Sequence, residues 1–174
     1  MDDELRPELR ALQDRLALTG DEVRSEARAK RHARGNRTAR ENLEHLTDAD
    51  SFIEYGQLAV AAQRNRRDYV ELQSATAADG ILTGLCTINA DSVGDVKARA
   101  AVIVNDYSVL AGTQGFFHHK KLDRMCEMAE RLSLPLVMFT EGGGGRPDMA
   151  QGGGASTENA EAAIKAAEAV IAGA

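Results

Sequence analysis

The stretch that decides the fold is ARAAVIVNDYSVLAGTQGFFHHKKLDRMCEMAERLSLPLVMFT, residues Ala98–Thr140. It begins with an apolar run that ends at Asn105, which is typical of a strand covered on both faces. The turn Gly112–Gly115 follows, and then a helical pattern from about Phe117 to Leu132 with one broad apolar stripe. A second apolar run, Leu134–Thr140, is predicted to be another fully buried strand. The order strand, glycine turn, helix, strand predicts a βαβ crossover, which is right-handed by strong default.

The residues before this stretch predict more strands. Gly80–Asn89 alternates between apolar and polar residues and is rich in branched side chains, so we expect it to pair with the strand that ends at Asn105. Ser51–Leu58 and Tyr69–Leu72 are short candidate strands. After the last strand, an alanine-rich segment predicts a closing helix from Thr157 to Ala172.

The first 46 residues have helical spacing instead. Pro7–Leu18 predicts one helix, and Asp21 is a candidate cap for a second helix through the basic stretch that follows. Thr38 and Glu41 form a capping-box pattern for a third helix, from Ala39 to about Leu46. We therefore predict a helical arm over residues 1–46 and a domain over residues 47–174.

The composition is that of a soluble globular protein. The 174 residues are 43% hydrophobic and 28% charged, and no apolar run approaches the roughly 18 residues of a membrane span. With no membrane span and no apolar signal segment near the first residue, we expect a cytoplasmic location. Cys86 and Cys126 are predicted to be buried reduced thiols, because disulfide and metal frameworks need denser cysteine patterns. The histidines show no metal-ligand spacing.

The charge is unevenly distributed along the chain. A net charge of −6 argues against nonspecific nucleic-acid binding by the whole chain. Residues 24–40, however, hold seven basic residues against one acid, Glu26. That surplus suits a phosphate-rich ligand or an acidic partner surface, but composition alone favours the alternative of a solvated helix face.

Two glycine-containing loops follow predicted strands, which is where α/β proteins bind ligands. They are Ala111–Gly115 and the four-glycine loop Gly142–Gly145 with Arg146. Glycine lets backbone N–H groups approach a ligand oxygen, although such loops can also serve only as turns. Neither loop has the spacing of a dinucleotide fingerprint or a phosphate loop, and no serine-hydrolase elbow is present. Backbone dipoles would therefore have to carry much of any catalysis.

HARGNRTARENLEHLTDADSFIE (residues 32–54) resembles the entry segment of the biotin-dependent acyl-CoA carboxyltransferase family, and ADGILTGLCTIN (residues 78–89) resembles the next block of that family. AVIVNDYSVLAGTQG (residues 101–115) is similar to the family's strand and glycine–serine turn. TEGGGGRP (residues 140–147) resembles carboxyltransferase domains of large multidomain acyl-CoA carboxylases. The blocks occur in the family's order.

The resemblance implies an α/β, crotonase-like fold of ββα units with an N-terminal helical arm. It also implies transfer of a carboxyl group from carboxybiotin, carried on a carrier domain, to the α-carbon of an acyl-CoA. The backbone N–H groups of Gly144 and Gly145 would hold the thioester oxygen. Gly112, Thr113 and Gln114 would lie near the adenine and pantetheine end, with Arg146 and the basic arm near the phosphates.

The resemblance further implies partners. The family's active site needs a second crotonase-like half, usually from a neighbouring subunit, so we expect a homo-oligomer. This chain departs from the family's pattern at Asp148-Met149 and in its alanine-rich tail. We therefore expect an independent or truncated N-terminal half that binds acyl-CoA and is incomplete alone.

Two other functions remain open at the level of sequence. The chain could be a non-catalytic crotonase-like scaffold or regulatory module. It could also be a hydratase or thioesterase half acting alone, which would require Glu141 or Asp148 as a general base.

Overall fold

In the computed structural model, residues 6–141 and 150–153 are described, and they form a five-stranded sheet with helices packed on both faces. The strands lie in the order β1-β2-β3-β4-β5. The helices are α1 (Pro7–Ala17), α2 (Ser25–His32), α3 (Ala39–Leu46), α4 (Tyr69–Ala75), α5 (Ala90–Val93) and α6 (Phe116–Leu132). The strands are β1 (Ile53–Glu54), β2 (Ile81–Thr87), β3 (Arg99–Asn105), β4 (Leu136–Phe139) and β5 (Ala150–Gly153).

The central strands have the predicted topology. β2 and β3 pair antiparallel along their whole length, from Ile81 opposite Asn105 to Thr87 opposite Arg99. β3 and β4 pair parallel, with Ala101 opposite Leu136, and α6 connects them. The predicted hairpin and the predicted strand–helix–strand crossover are therefore confirmed.

The continuous apolar run of β3 is explained by burial on both faces of the sheet. Val102 and Val104 pack with Leu43 of α3 on one face, while Ile103 packs with Met125 of α6 on the other. Successive strand side chains point to opposite faces, so a strand covered on both sides needs apolar residues at every position. The last helix of the predicted arm thus contributes to the sheet core, and the domain boundary at residue 46 stays a prediction.

The prediction of a strand at Tyr69–Leu72 was wrong, because these residues begin α4. The Asp68 carboxylate accepts a hydrogen bond from the Val70 N–H at 2.8 Å and caps the first turn of the helix. Leu72 is the buried residue of this helix. A run of four residues is too short for its period to distinguish a strand from a helix.

The predicted strand at Ser51–Leu58 is reduced to β1, which has two residues. Gly56 ends it with a φ of 68°, a conformation that favours glycine. On the partner strand, a Cβ added at Gly84 would overlap the carbonyl oxygen of Ile53 and the ring of Phe52. The absence of a side chain at Gly84 therefore lets the Phe52–Ile53 segment lie directly against β2.

Three smaller expectations were also wrong. Asp21 does not cap α2, which begins at Ser25, because its carboxylate accepts a hydrogen bond from the Thr38 hydroxyl. β4 is not fully buried, since within Leu136–Phe139 only Val137 is. Cys86 is buried as predicted, but Cys126 is exposed on α6.

Several sequence predictions lie outside the described residues, namely the four-glycine loop and the helix from Thr157 to Ala172. Among the residues that the structure describes, no cluster of histidine, cysteine and carboxylate side chains could hold a metal ion. In the same part of the chain, no helix has the length and apolarity needed to cross a membrane.

Candidate functional site

The carboxyl ends of β3 and β4 meet at one edge of the sheet, because the two strands are parallel. β3 leads into Asp106 and Tyr107, and β4 leads into Thr140 and Glu141. Ligands of open α/β sheets bind at such an edge. The segments that lead into the two loops singled out from the sequence, residues 106–110 and 140–141, therefore both start at this edge.

The first loop is a tight left-handed turn. Leu110, Ala111 and Gly112 have φ values of 49°, 53° and 72°, and Gly112 is buried. The N–H of Gly112 donates to the Val109 carbonyl at 3.0 Å, and that of Thr113 donates to the Leu110 carbonyl at 3.1 Å. These two N–H groups are therefore engaged within the turn.

The other surfaces of this turn face solvent. The Thr113 and Gln114 side chains are exposed, and the Thr113 hydroxyl donates to the Leu110 carbonyl at 2.7 Å. Of the three residues predicted to contact the adenine and pantetheine end, Gly112 thus shapes the turn. Thr113 and Gln114 present side chains that a ligand can reach.

The Asp79 side chain contacts the backbone of the first turn of α6. Its carboxylate accepts a hydrogen bond from the His118 N–H at 2.7 Å, and a Cβ at Gly115 would lie 3.3 Å from the same carboxylate oxygen. Asp79 is 2% exposed and has a φ of 50°. Burial raises the pKa of Asp79, and the His118 hydrogen bond opposes that effect. A buried carboxylate thus supplies the cap that the start of α6 lacks locally.

Two basic side chains of α6 complete this buried cluster. The His118 ring is fully buried, with Nδ1 3.2 Å from the Asp79 carbonyl oxygen and Nε2 without a partner among the described residues. The Lys121 ammonium donates to the carbonyl oxygens of Ala78 and Ile81. Burial lowers the pKa of His118 and lowers that of Lys121 to about 8.

Sequence reasoning missed this cluster, although a signal was present. His118, Lys121 and Met125 are spaced by three and four residues, so they share one face of the helix. A histidine and a lysine on the core-facing stripe predict buried, hydrogen-bonded side chains.

The basic residues of the arm are mostly paired within the fold. Arg24 binds Asp106 at 2.7 Å and also donates to the Ser108 hydroxyl. Arg31 binds Glu141 at 2.6 Å. The other ion pairs of the basic stretch are Arg28–Glu41 at 3.1 Å, Lys30–Glu26 at 2.7 Å and Arg40–Glu54 at 3.0 Å. The local surplus of positive charge is therefore largely balanced by carboxylates of this chain, while Arg34 is exposed.

Glu141, one of the two candidate general bases, is held on both carboxylate oxygens by Arg31. These hydrogen bonds occupy lone pairs on both oxygens, which leaves the carboxylate poorly placed to abstract a proton from a ligand. Asp148, the other candidate base, lies outside the described residues. So do Gly144 and Gly145, the predicted oxyanion donors, and Arg146.

A cleft of about 660 Å³ lies elsewhere, between α3 and the segment that follows it. Its lining includes six carboxylates, at Asp21, Glu22, Glu41, Glu44, Asp48 and Asp50, with Arg28 and Arg40. Such a lining repels phosphate groups, and the cleft is not formed by the turn after β3. We therefore place the candidate site at the strand ends.

Comparison with known proteins identifies the family. The family model of the carboxyl transferase domain matches residues 30–171. The propionyl-CoA carboxylase beta chain of Roseobacter denitrificans is 32% identical over 141 residues, which are 79% of this chain and 25% of the relative. The beta4 subunit of the biotin-dependent long-chain acyl-coenzyme A carboxylase of Mycobacterium tuberculosis is 32% identical over 138 residues, which are 79% of this chain and 24% of the relative.

Solved structures agree with the sequence relatives. A single-chain, multi-domain long-chain acyl-CoA carboxylase has 53% identity and a TM-score of 0.78, over 82% of this chain and 14% of that one. The transcarboxylase 12S, solved with hydrolysed methylmalonyl-coenzyme A, has 27% identity and a TM-score of 0.60, over 79% of this chain and 25% of that one. These similarities confirm the predicted crotonase-like α/β fold. The chain spans about a quarter of the length of the curated relatives it matches. This chain belongs to the carboxyl transferase domain family.

Proposed function

We propose that this chain is the acyl-CoA-binding half of a carboxyltransferase that moves a carboxyl group from carboxybiotin to an acyl-CoA. The observation that carries the proposal is the family match over residues 30–171. The geometry supports it, because the chain segments that lead into both predicted substrate loops leave the sheet at the same edge. A cytoplasmic location and a role in fatty acid metabolism belong to the same proposal.

In this proposal, acyl-CoA lies across the carboxyl ends of β3 and β4. The adenine and pantetheine end contacts the exposed side chains of Thr113 and Gln114, since the N–H groups of Gly112 and Thr113 are engaged within the turn. Arg146 and the exposed Arg34 are the basic residues that we assign to the CoA phosphates. The acyl thioester extends toward the four-glycine loop.

The chemistry that this half supports is charge stabilisation. Removing a proton from the α-carbon of the acyl group places negative charge on the thioester oxygen. We assign the backbone N–H groups of Gly144 and Gly145 as donors to that oxygen, each worth roughly 3–4 kcal/mol in measured oxyanion holes. Carboxybiotin would supply the carboxyl group as its N1–carboxyl bond breaks, and the biotin N1 would take up the proton lost from the α-carbon, while the α-carbon forms the new carbon–carbon bond. We assign carboxybiotin to a second crotonase-like half and its carrier, and expect a homo-oligomer to bring the halves together.

The test is calorimetric titration of the chain with propionyl-CoA and acetyl-CoA. We expect saturable binding that is lost when Gly144 or Gly145 is replaced by leucine, because a bulky side chain blocks the approach of the thioester. Ala75→Leu is the control, since it adds a leucine side chain at an exposed helical position outside both loops. Absence of binding at millimolar acyl-CoA would sink the proposal and leave the non-catalytic scaffold as the remaining reading.

A further inference from the structure

The guanidinium of Arg31 is the one buried anchor of α2, all of whose residues are described. The side chain of Arg31 is 9% exposed and that of its partner Glu141 is 16% exposed. An ion pair this far from water persists only if additional hydrogen bonds satisfy both groups. The contacts of Arg31 therefore indicate its structural role.

Arg31 contacts three separate segments of the chain. Its Nη2 donates to Glu141 Oε1 at 2.6 Å and to Oε2 at 2.8 Å. Its Nε and Nη2 donate to the Arg37 carbonyl at 3.0 and 2.9 Å. Its Cζ lies 5.7 Å from the centroid of the Tyr107 ring. One planar group thus joins the end of β4, the residue before the α3 cap and the segment after β3.

These contacts are specific to arginine. The guanidinium presents several donors in a fixed plane and also stacks on aromatic rings, whereas a lysine ammonium is a compact point charge. Arg28 provides a contrast on the same helix. It also binds a carboxylate, Glu41, at 3.1 Å, but its side chain is 49% exposed.

We propose that Arg31 is a positioning residue that fixes the end of β4, through Glu141, relative to the segment after β3. The inference rests on the proposed function, in which the loop that begins after Glu141 holds the acyl thioester. Arg31 does not touch the substrate in this scheme. It determines where the predicted loop starts and so sets the affinity for the acyl group.

The experiment compares Arg31→Met, Arg31→Lys, Glu141→Gln and the double variant Arg31→Met/Glu141→Gln, with Arg28→Met as the control. Hydrogen exchange is measured for the segments 106–110, 134–141 and α6. Dissociation constants are measured for propionyl-CoA and for free CoA. Free CoA lacks the acyl group, so it separates an effect on the thioester from an effect on the rest of the ligand.

We expect Arg31→Met to raise exchange in the segments 106–110 and 134–141 while α6 keeps its protection. Affinity for propionyl-CoA falls by about tenfold and affinity for free CoA by less than about threefold, with Arg31→Lys intermediate. The double variant matches Arg31→Met, because both changes break the same contact. Arg28→Met changes each affinity by less than about twofold.

Three results would overturn the inference, namely equal effects of Arg28→Met and Arg31→Met, uniform loss of protection that includes α6, or additive losses in the double variant. If the unmodified chain binds no propionyl-CoA, the proposed function fails. The exchange pattern alone then decides whether Arg31 holds the two strand ends together, so the two failures are distinguishable.

Discussion

Lys121 keeps an ammonium group within the layer between α6 and the sheet. The residue is 8% exposed, and its donors reach the carbonyl oxygens of Ala78 and Ile81. Burial lowers its pKa from 10.5 to about 8. Gly56 packs against the aliphatic part of the Lys121 side chain, since a Cβ at Gly56 would lie 3.1 Å from the lysine Cδ and Cε. Because its pKa is lowered in the folded chain, a protonated Lys121 destabilises the folded state relative to the unfolded chain.

This arrangement predicts a pH dependence of stability. Between pH values of about 8 and 10.5 the unfolded chain binds more protons at this site than the folded chain, so the free energy of unfolding rises with pH. The gain is at most about 1.4 kcal/mol per pH unit. We expect the unfolding free energy of the unmodified chain minus that of Lys121→Met to increase from about pH 7.5 to about pH 10 in urea titrations. The difference removes the contributions of groups common to both proteins, and a flat difference would contradict the assigned pKa.

At the scale of elements, α3 depends on its capping box. The Thr38 hydroxyl accepts from the Glu41 N–H at 3.1 Å, and the Glu41 carboxylate accepts from the Thr38 N–H at 2.9 Å. The helix has only eight residues, which is marginal without tertiary contacts. Its buried residues Leu43 and Leu46 belong to the core on one face of the sheet. The capping box and the core contacts therefore stabilise the same short helix.

We expect Thr38→Ala to lower the free energy of unfolding by about 1–2 kcal/mol, because both the cap and the hydrogen bond to Asp21 are lost. Urea titration monitored by circular dichroism measures the change. Ser74→Ala, which removes an exposed hydroxyl bonded to the Glu71 carbonyl, is the control and should change stability by less than about 0.5 kcal/mol. Equal effects of the two substitutions would mean that the capping box adds nothing to the fold.

At the scale of the whole molecule, several large apolar side chains face solvent. Phe116 is 59% exposed, Ile53 62% and Val70 71%, and α1 has no buried residue. A contiguous apolar patch favours association with another protein surface, and Phe116 forms one with Phe117, which is 42% exposed and whose ring centroid lies 5.1 Å away. This is consistent with the expectation that a second crotonase-like half normally covers part of this one.

We therefore predict that the isolated chain self-associates. Light scattering coupled to size exclusion should give a mass above 18.7 kDa that rises with protein concentration. The effect should persist at high salt, because apolar contacts are not screened as ion pairs are. A mass that stays at the monomer value across the dilution series would contradict the prediction.

The sequence by itself determined the features that depend on local patterns. The apolar run of β3, the stripe of α6 and the capping box of α3 each occupy neighbouring positions, so period and residue type were enough to place them. The ordered blocks of residues were enough to identify the family and the crotonase-like fold. Short or isolated signals failed, as at Tyr69–Leu72, where the Asp68 cap outweighed a strand-like run.

Only the tertiary structure decided which polar side chains meet. Arg31 and Glu141 are 110 residues apart, and Lys121 reaches carbonyl oxygens about 40 residues away in the chain. No local period links such positions, since their contact depends on how β3 and β4 align and on where α6 crosses the sheet. The basic stretch shows the same limit, because sequence reveals its positive charge but not the carboxylates that the fold brings against it.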